Sequence, residues 1–171
     1  MTKKILFALA LVLIVIQFIR PEKNLSDDLT YDISTQYEVP DEIHQMLKVS
    51  CNDCHSNKTK YPWYSNVQPV AWWLNHHVKD GKKHLNFSEF TKRPIAVQNH
   101  KFEEVVEMVE AHEMPLPSYT NFGLHSEANL NEQQRTMITD WAKAQMAQLK
   151  NTYPPDSLVM KRRGGPPPPN N

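Results

Sequence analysis

Cys51-Asn52-Asp53-Cys54-His55 is the stretch from which the rest of the chain is read. Residues three and four apart share one face of a helix. Cys51, Cys54 and His55 therefore project together, while Asn52 and Asp53 fall away from them. The chain has only two cysteines, which excludes a disulfide scaffold and any four-cysteine metal site. A zinc site would need two further ligands drawn from histidine or carboxylate. A thioredoxin-like C-x-x-C would need a βαβ context, which the sequence does not offer, and a plain disulfide leaves His55 unexplained. C-x-x-C-H is the pattern of c-type haem attachment. Its spacing lets Cys51 and Cys54 reach two vinyl groups of one porphyrin as thioethers, with His55 beneath the ring as an iron ligand.

Outward from this motif the chain reads as helices and loops, with no alternating strand. Pro40-Asp41-Glu42 opens a helix with Ile43, Met46 and Leu47 inward. Pro69 opens a second, with Val70, Trp73, Leu74, His77 and Val78 on one stripe and Gly81 as its expected C-terminal cap. A third turns Phe102, Val105, Val106 and Val109 inward and Glu103, Glu104, Glu107 and Glu110 outward, and Pro115 and Pro117 stop it. A fourth begins at Asn131, with Gln134 in capping-box register and Met137, Ile138, Trp141 and Leu149 on its apolar side. The expected class is all-α, a small cytochrome c-like helical domain over residues 39–150.

The N-terminal run Ile5–Ile19 is apolar except at Gln17, follows Lys3 and Lys4, and is closed by Arg20. Its 15 residues span about 22 Å as a helix. No small-x-small cleavage site follows, so residues 1–20 are expected to be a signal-anchor, with Lys3 and Lys4 cytoplasmic and the remainder outside. Residues 21–38 read as a polar tether. Residues 151–171, with a run of four prolines before Asn170-Asn171, read as a disordered tail. Lys+Arg and Asp+Glu number 19 each in 171 residues, for a net charge of zero, which argues against a nucleic-acid partner bound through a basic face. Mean hydropathy of −0.60 excludes a polytopic membrane protein. Four glycines, with no G-x-G-x-x-G or P-loop pattern, leave no phosphate cradle.

The second axial ligand is expected to be Met114, at the end of a helix where Pro115 forces the backbone open. His77 is its rival. His112 and His125, near the Met114 loop, are weaker candidates. Tyr61 and Trp63, close behind the motif, are expected to pack on the haem edge, with His77 beside the ring where it does not ligate the iron.

Ser50–Asn57 with Thr59, Tyr61-Pro62-Trp63-Tyr64, Pro69, Trp73, His77, Gly81, Leu85-Asn86-Phe87-Ser88, Met114-Pro115, Tyr119, His125, Ala128, Leu130 and Trp141 together resemble the bacterial haem-binding domain family of small exported single-haem c-type cytochromes. The resemblance covers about residues 39–146 and implies one covalent haem c. It departs at Leu116, which stands before Pro117 where the family has a second proline directly after Met-Pro. The expected function is a membrane-tethered, periplasmic one-electron carrier at the inner membrane, with redox proteins as partners and no catalysis of its own. The alternatives are a haem-based sensor or peroxidase-like enzyme with a displaceable ligand, and a non-haem metal or interaction module.

Overall fold

The computed structural model describes residues 1–160. Among these there is no β-strand, only an isolated antiparallel bridge between Leu25 and Lys58. The helices are α1 (Thr2–Ile16), α2 (Asp41–Ser50), α3 (Asn52–His55), α4 (Val70–His84), α5 (Ile95–Glu110), α6 (Pro117–Thr120) and α7 (Glu132–Thr152), joined by short 3-10 turns.

Proline starts three of them. Pro40, Pro69 and Pro94 are the N-cap residues of α2, α4 and α5, where a preset φ helps and a missing N–H costs nothing. The capping box of α7 forms as expected: Asn131 Oδ1 accepts from Gln134 N, and Gln134 Oε1 accepts from Asn131 N, both at 2.9 Å. Helix α5 stops before the prolines. His112 adopts φ 58°, Glu113 N donates to Met108 O and His112 N to Val109 O, a Schellman ending built on a non-glycine residue.

The core lies between α5 and α7, which run antiparallel. Arg135 near the start of α7 reaches Val109 O at the end of α5, whereas Trp141 further along packs edge-on against Phe102, ring centres 5.7 Å apart. Phe102, Val105, Val109, Ile138, Trp141 and Leu149 are buried, on the faces the sequence assigns. Ile43, Met46 and Leu47 of α2 are also buried.

Three expectations need correction. Residues 21–38 are not a free tether. Ile33 and Tyr37 are buried in the core, Tyr37 OH donates to Gln98 Oε1, Trp141 Nε1 donates to Glu38 O, and Asn24 and Ser26 pair with the backbone at Thr59 and Asn57. The domain also extends past residue 150, because α7 runs to Thr152 and Leu158 is buried. The rest of the expected tail, residues 161–171, lies outside the described residues. In α4 the buried line is Ala71, Leu74 and Val78, while Trp73 is 47% exposed and Val70 and His77 are half-buried. Gly81 does not cap this helix, which continues to His84.

Helix α1 forms, and none of its residues is buried. Among the described residues no helix is long and apolar enough to cross a membrane.

Candidate functional site

The C-x-x-C-H stretch begins at the break between α2 and α3. Cys51 leaves α2 at φ −125°, and its carbonyl then accepts from Cys54 N and His55 N at 3.1 and 2.9 Å. That single turn sets the two thiols and the imidazole close together. Both cysteines are free. Burial is the first cause of raised thiol pKa values, with Cys51 pushed up to about 12 and Cys54 to about 11; the neighbouring Cys54 and Asp53, respectively, add to it. Both therefore remain neutral S–H groups at pH 7.

His55 is held from one side. Its Nδ1 lies 3.0 Å from Gly81 O and 3.0 Å from Leu85 O. Both partners are carbonyls, which only accept, so Nδ1 carries the proton. The lone pair is then on Nε2, and the ring orientation is fixed by the end of α4. Burial moves its pKa below the usual histidine range, with the two backbone hydrogen bonds opposing. A neutral imidazole with an anchored Nδ1–H is the form that ligates a metal.

Gly81 makes this contact possible. A Cβ built there would stand 2.7 Å from Cys54 O and 3.0 Å from Cys54 Cβ. Helix α4 approaches the cysteine turn more closely than any side chain would permit, and that brings the Gly81 and Leu85 carbonyls to His55.

Asp53 does more than fall away from the motif. Oδ1 accepts from Lys60 N at 2.8 Å, Oδ2 from Tyr119 OH at 2.7 Å, and its main-chain oxygen from Thr59 Oγ1 at 2.6 Å. Tyr119 stacks on His125, centres 4.3 Å apart and planes 12° apart, and Tyr64 OH is hydrogen bonded to His125 Nε2. Five residues before Tyr119, the Met114 carbonyl accepts from Arg135 Nη1 at 2.9 Å. The loop carrying Met114 is thus fixed at two points, on α7 through Arg135 and on the cysteine turn through Tyr119.

The remaining candidates are placed as follows. His77 Nδ1 bonds to Trp73 O at 2.9 Å, and its ring lies 4.3 Å from that of Trp73. His125 is engaged by Tyr64 at one ring nitrogen and lies 3.6 Å from Glu127 at the other. His112 ends α5 and faces Glu132 at 3.6 Å. Tyr61 OH accepts from Asn24 N at 2.9 Å, and Lys23 sits over its ring. Trp63 is 78% exposed. Sequence reasoning missed the carbonyl acceptors of His55, the Asp53–Tyr119 link and Arg135. Backbone carbonyls carry no sequence signal, and Arg135 reads as an ordinary helix-surface cation.

Two neutral thiols at C-x-x-C spacing beside a histidine with only Nε2 available form a donor set that fits haem. A model of the family described as a haem-binding domain matches residues 11–144. The chain belongs to that family. No curated protein and no solved structure matches it. The match begins 28 residues before the expected start at 39, consistent with the packing of residues 24–37 into this haem-binding domain. His55, on its two carbonyls, is the residue best prepared to hold a haem iron, and Cys51 and Cys54 lie on the same turn of chain.

Proposed function

We propose that the protein is a single-haem c-type cytochrome, anchored in the inner membrane with its haem domain in the periplasm, that carries one electron at a time between redox proteins. The observation that carries this reading is the His55 Nδ1–H shared between Gly81 O and Leu85 O beside two unpaired neutral thiols. Haem bound there supplies a one-electron iron couple. Cys51 and Cys54 would hold it covalently, each adding its S–H across one vinyl group so that sulfur and hydrogen go to neighbouring carbons and nothing is released. His55 through Nε2 and Met114 through its thioether would be the residues that hold the iron. The two points at which the Met114 loop is held, through Arg135 and through Tyr119, support Met114 as the second residue that would hold the iron. A redox partner would meet the domain through a small transient interface.

Anchoring rests on α1. None of its apolar side chains is buried and all but Ile16 are exposed, Lys3 and Lys4 lie at one end, and exposed Phe18 and Ile19 continue the apolar surface beyond Ile16. The apolar run Ile5–Ile19 covers about 22 Å as a helix, and the long side chains of Lys3, Lys4 and Arg20 at its two ends would reach out to the headgroups.

Optical spectra of the haem-loaded chain test the ligand set. The ferric protein is expected to show the weak long-wavelength band of sulfur–iron ligation. Met114→Ala removes that band, lowers the potential and opens the iron to imidazole, while His77→Ala leaves the band intact. Loss of ligation in His77→Ala with an unchanged Met114→Ala spectrum would replace the Met114 assignment with a bis-histidine centre.

A further inference from the structure

Gln17 is the one polar residue inside the apolar run, and it forms a joint. Its side chain makes a reciprocal pair with the backbone of Gln68: Gln17 Oε1 accepts from Gln68 N at 2.9 Å, and Gln17 Nε2 donates to Gln68 O at 3.2 Å. Two residues on, Ile19 O accepts from Gln68 Nε2 at 2.7 Å and from Trp72 Nε1 at 3.1 Å. Gln68 is buried and also binds Trp72 N. The end of the apolar helix is therefore fastened to the start of α4 by four hydrogen bonds, with no slack between them.

Around this joint the surface is apolar and aromatic. Phe18 is 84% exposed. Trp72, bonded to Ile19 O, is exposed too, as are Val67 and Trp73, its neighbours along the chain on either side of this joint, and Trp63 in the turn that leads into α4. Of the four tryptophans in the chain, only Trp141 is in the core. Patches of this kind mark a membrane or partner surface, and tryptophan favours the membrane–water boundary because its ring is apolar and its N–H polar. Arg20 and Lys23 follow at the same level, where anionic headgroups would lie.

We infer that this collar is a membrane-contact surface: the haem domain rests on the bilayer with Trp63, Val67, Trp72 and Trp73 in the headgroup region and does not swing on a flexible arm. The inference rests on the anchoring of α1 proposed above. The occupant is lipid because the collar is continuous with a helix exposed all round; with Ile19 O bonded to Trp72, placing α1 in the bilayer places Trp72 at its edge. Helix α4 then acts as a strut. Gly81, whose carbonyl holds His55, is 11 residues beyond Val70, about 16 Å along the helix. Gly81 stands no higher than that above the start of α4, so a redox partner reaching the cysteine turn packed on it would present its own centre near the membrane surface.

The test is hydroxyl-radical footprinting of the full haem-loaded chain in vesicles of phosphatidylcholine and phosphatidylglycerol, read by mass spectrometry with each rate normalised to that residue type in a free peptide. Phe7 is expected to be protected by the bilayer. Trp63 and Trp72 are expected to react several-fold more slowly than Tyr31, which is exposed and lies outside the collar. A Gly-Ser linker of about six residues inserted between Ile16 and Gln17 should leave Phe7 protected and the haem spectrum unchanged, and raise Trp63 and Trp72 reactivity several-fold. Trp63 and Trp72 reacting like Tyr31 while Phe7 is protected would overturn the collar and leave the anchor standing. Reactive Phe7 would overturn both. Tryptophan protection that survives the linker would assign the cover to something other than lipid, and the inference fails.

Discussion

Replacing Gly81 by alanine isolates the contact on which the site depends. The added Cβ would meet Cys54 O at 2.7 Å, Cys54 Cβ at 3.0 Å and Cys54 C at 3.2 Å. Two of these atoms are backbone, so no rotamer change relieves the clash, and α4 must move away from the cysteine turn. Overpacking of this kind costs about 1–3 kcal/mol. Alanine returns about 1 kcal/mol through helix propensity. The shift also stretches the 3.0 Å bonds from His55 Nδ1 to Gly81 O and Leu85 O, and a weakened buried hydrogen bond adds about 1–3 kcal/mol. The sum is a net destabilisation of about 1–5 kcal/mol, with His55 less firmly oriented. Denaturant unfolding of wild type and Gly81→Ala, each with its optical spectrum, gives both quantities. A Gly81→Ala protein of equal or greater stability, with unaltered ligation, would mean that helix propensity alone governs the position and that α4 does not position His55.

Three other perturbations follow from the geometry. His112→Gly should stabilise the domain by about 1 kcal/mol in thermal or denaturant unfolding, because a left-handed non-glycine residue ends α5; a destabilised variant would show that the His112 side chain contributes more than its backbone costs. Tyr119→Phe and Asp53→Asn should each destabilise, with a coupling of about 1.5 kcal/mol in a double-mutant cycle for their 2.7 Å bond; strictly additive losses would deny the link between the Met114 loop and the cysteine turn. Burial, helped by Tyr153, raises the pKa of Tyr37 above that of an ordinary phenol, so above pH about 10 the unfolded chain releases this proton first. Stability is then full below pH 10 and falls as pH rises further; Tyr37→Phe should flatten that fall by up to about 1.4 kcal/mol per pH unit, and an unchanged slope would place the titration elsewhere.

The cysteine motif, the proline starts and the Asn131–Gln134 box were legible because each depends on residues a few positions apart. The inward face of α5 was legible because valine and phenylalanine recur at helical spacing against glutamate. Ile33 and Tyr37 gave no such signal: they are isolated apolar residues in a polar stretch, and Tyr37 packs on Gln98 and Phe102, more than 60 positions away. In α4 the bulky Trp73 drew the expected stripe toward itself, whereas the buried line is Ala71, Leu74 and Val78, and Gly81, which has no side chain, permits the close approach to Cys54. A glycine that ends a helix and one that lets two helices touch look the same in sequence. Gln17 read as an interruption because its partners are the backbone groups of Gln68.

On the function proposed here, Cys51 and Cys54 hold one haem covalently. The most direct test of this attachment is the intact mass of the full chain under denaturing conditions, after production in a host that attaches haem c, followed by peptide mapping. The account predicts the 19.9 kDa chain plus one haem that survives acid–acetone extraction, with the added mass on the peptide containing Cys51 and Cys54. A chain of apoprotein mass, or haem that extracts into the solvent, would contradict it.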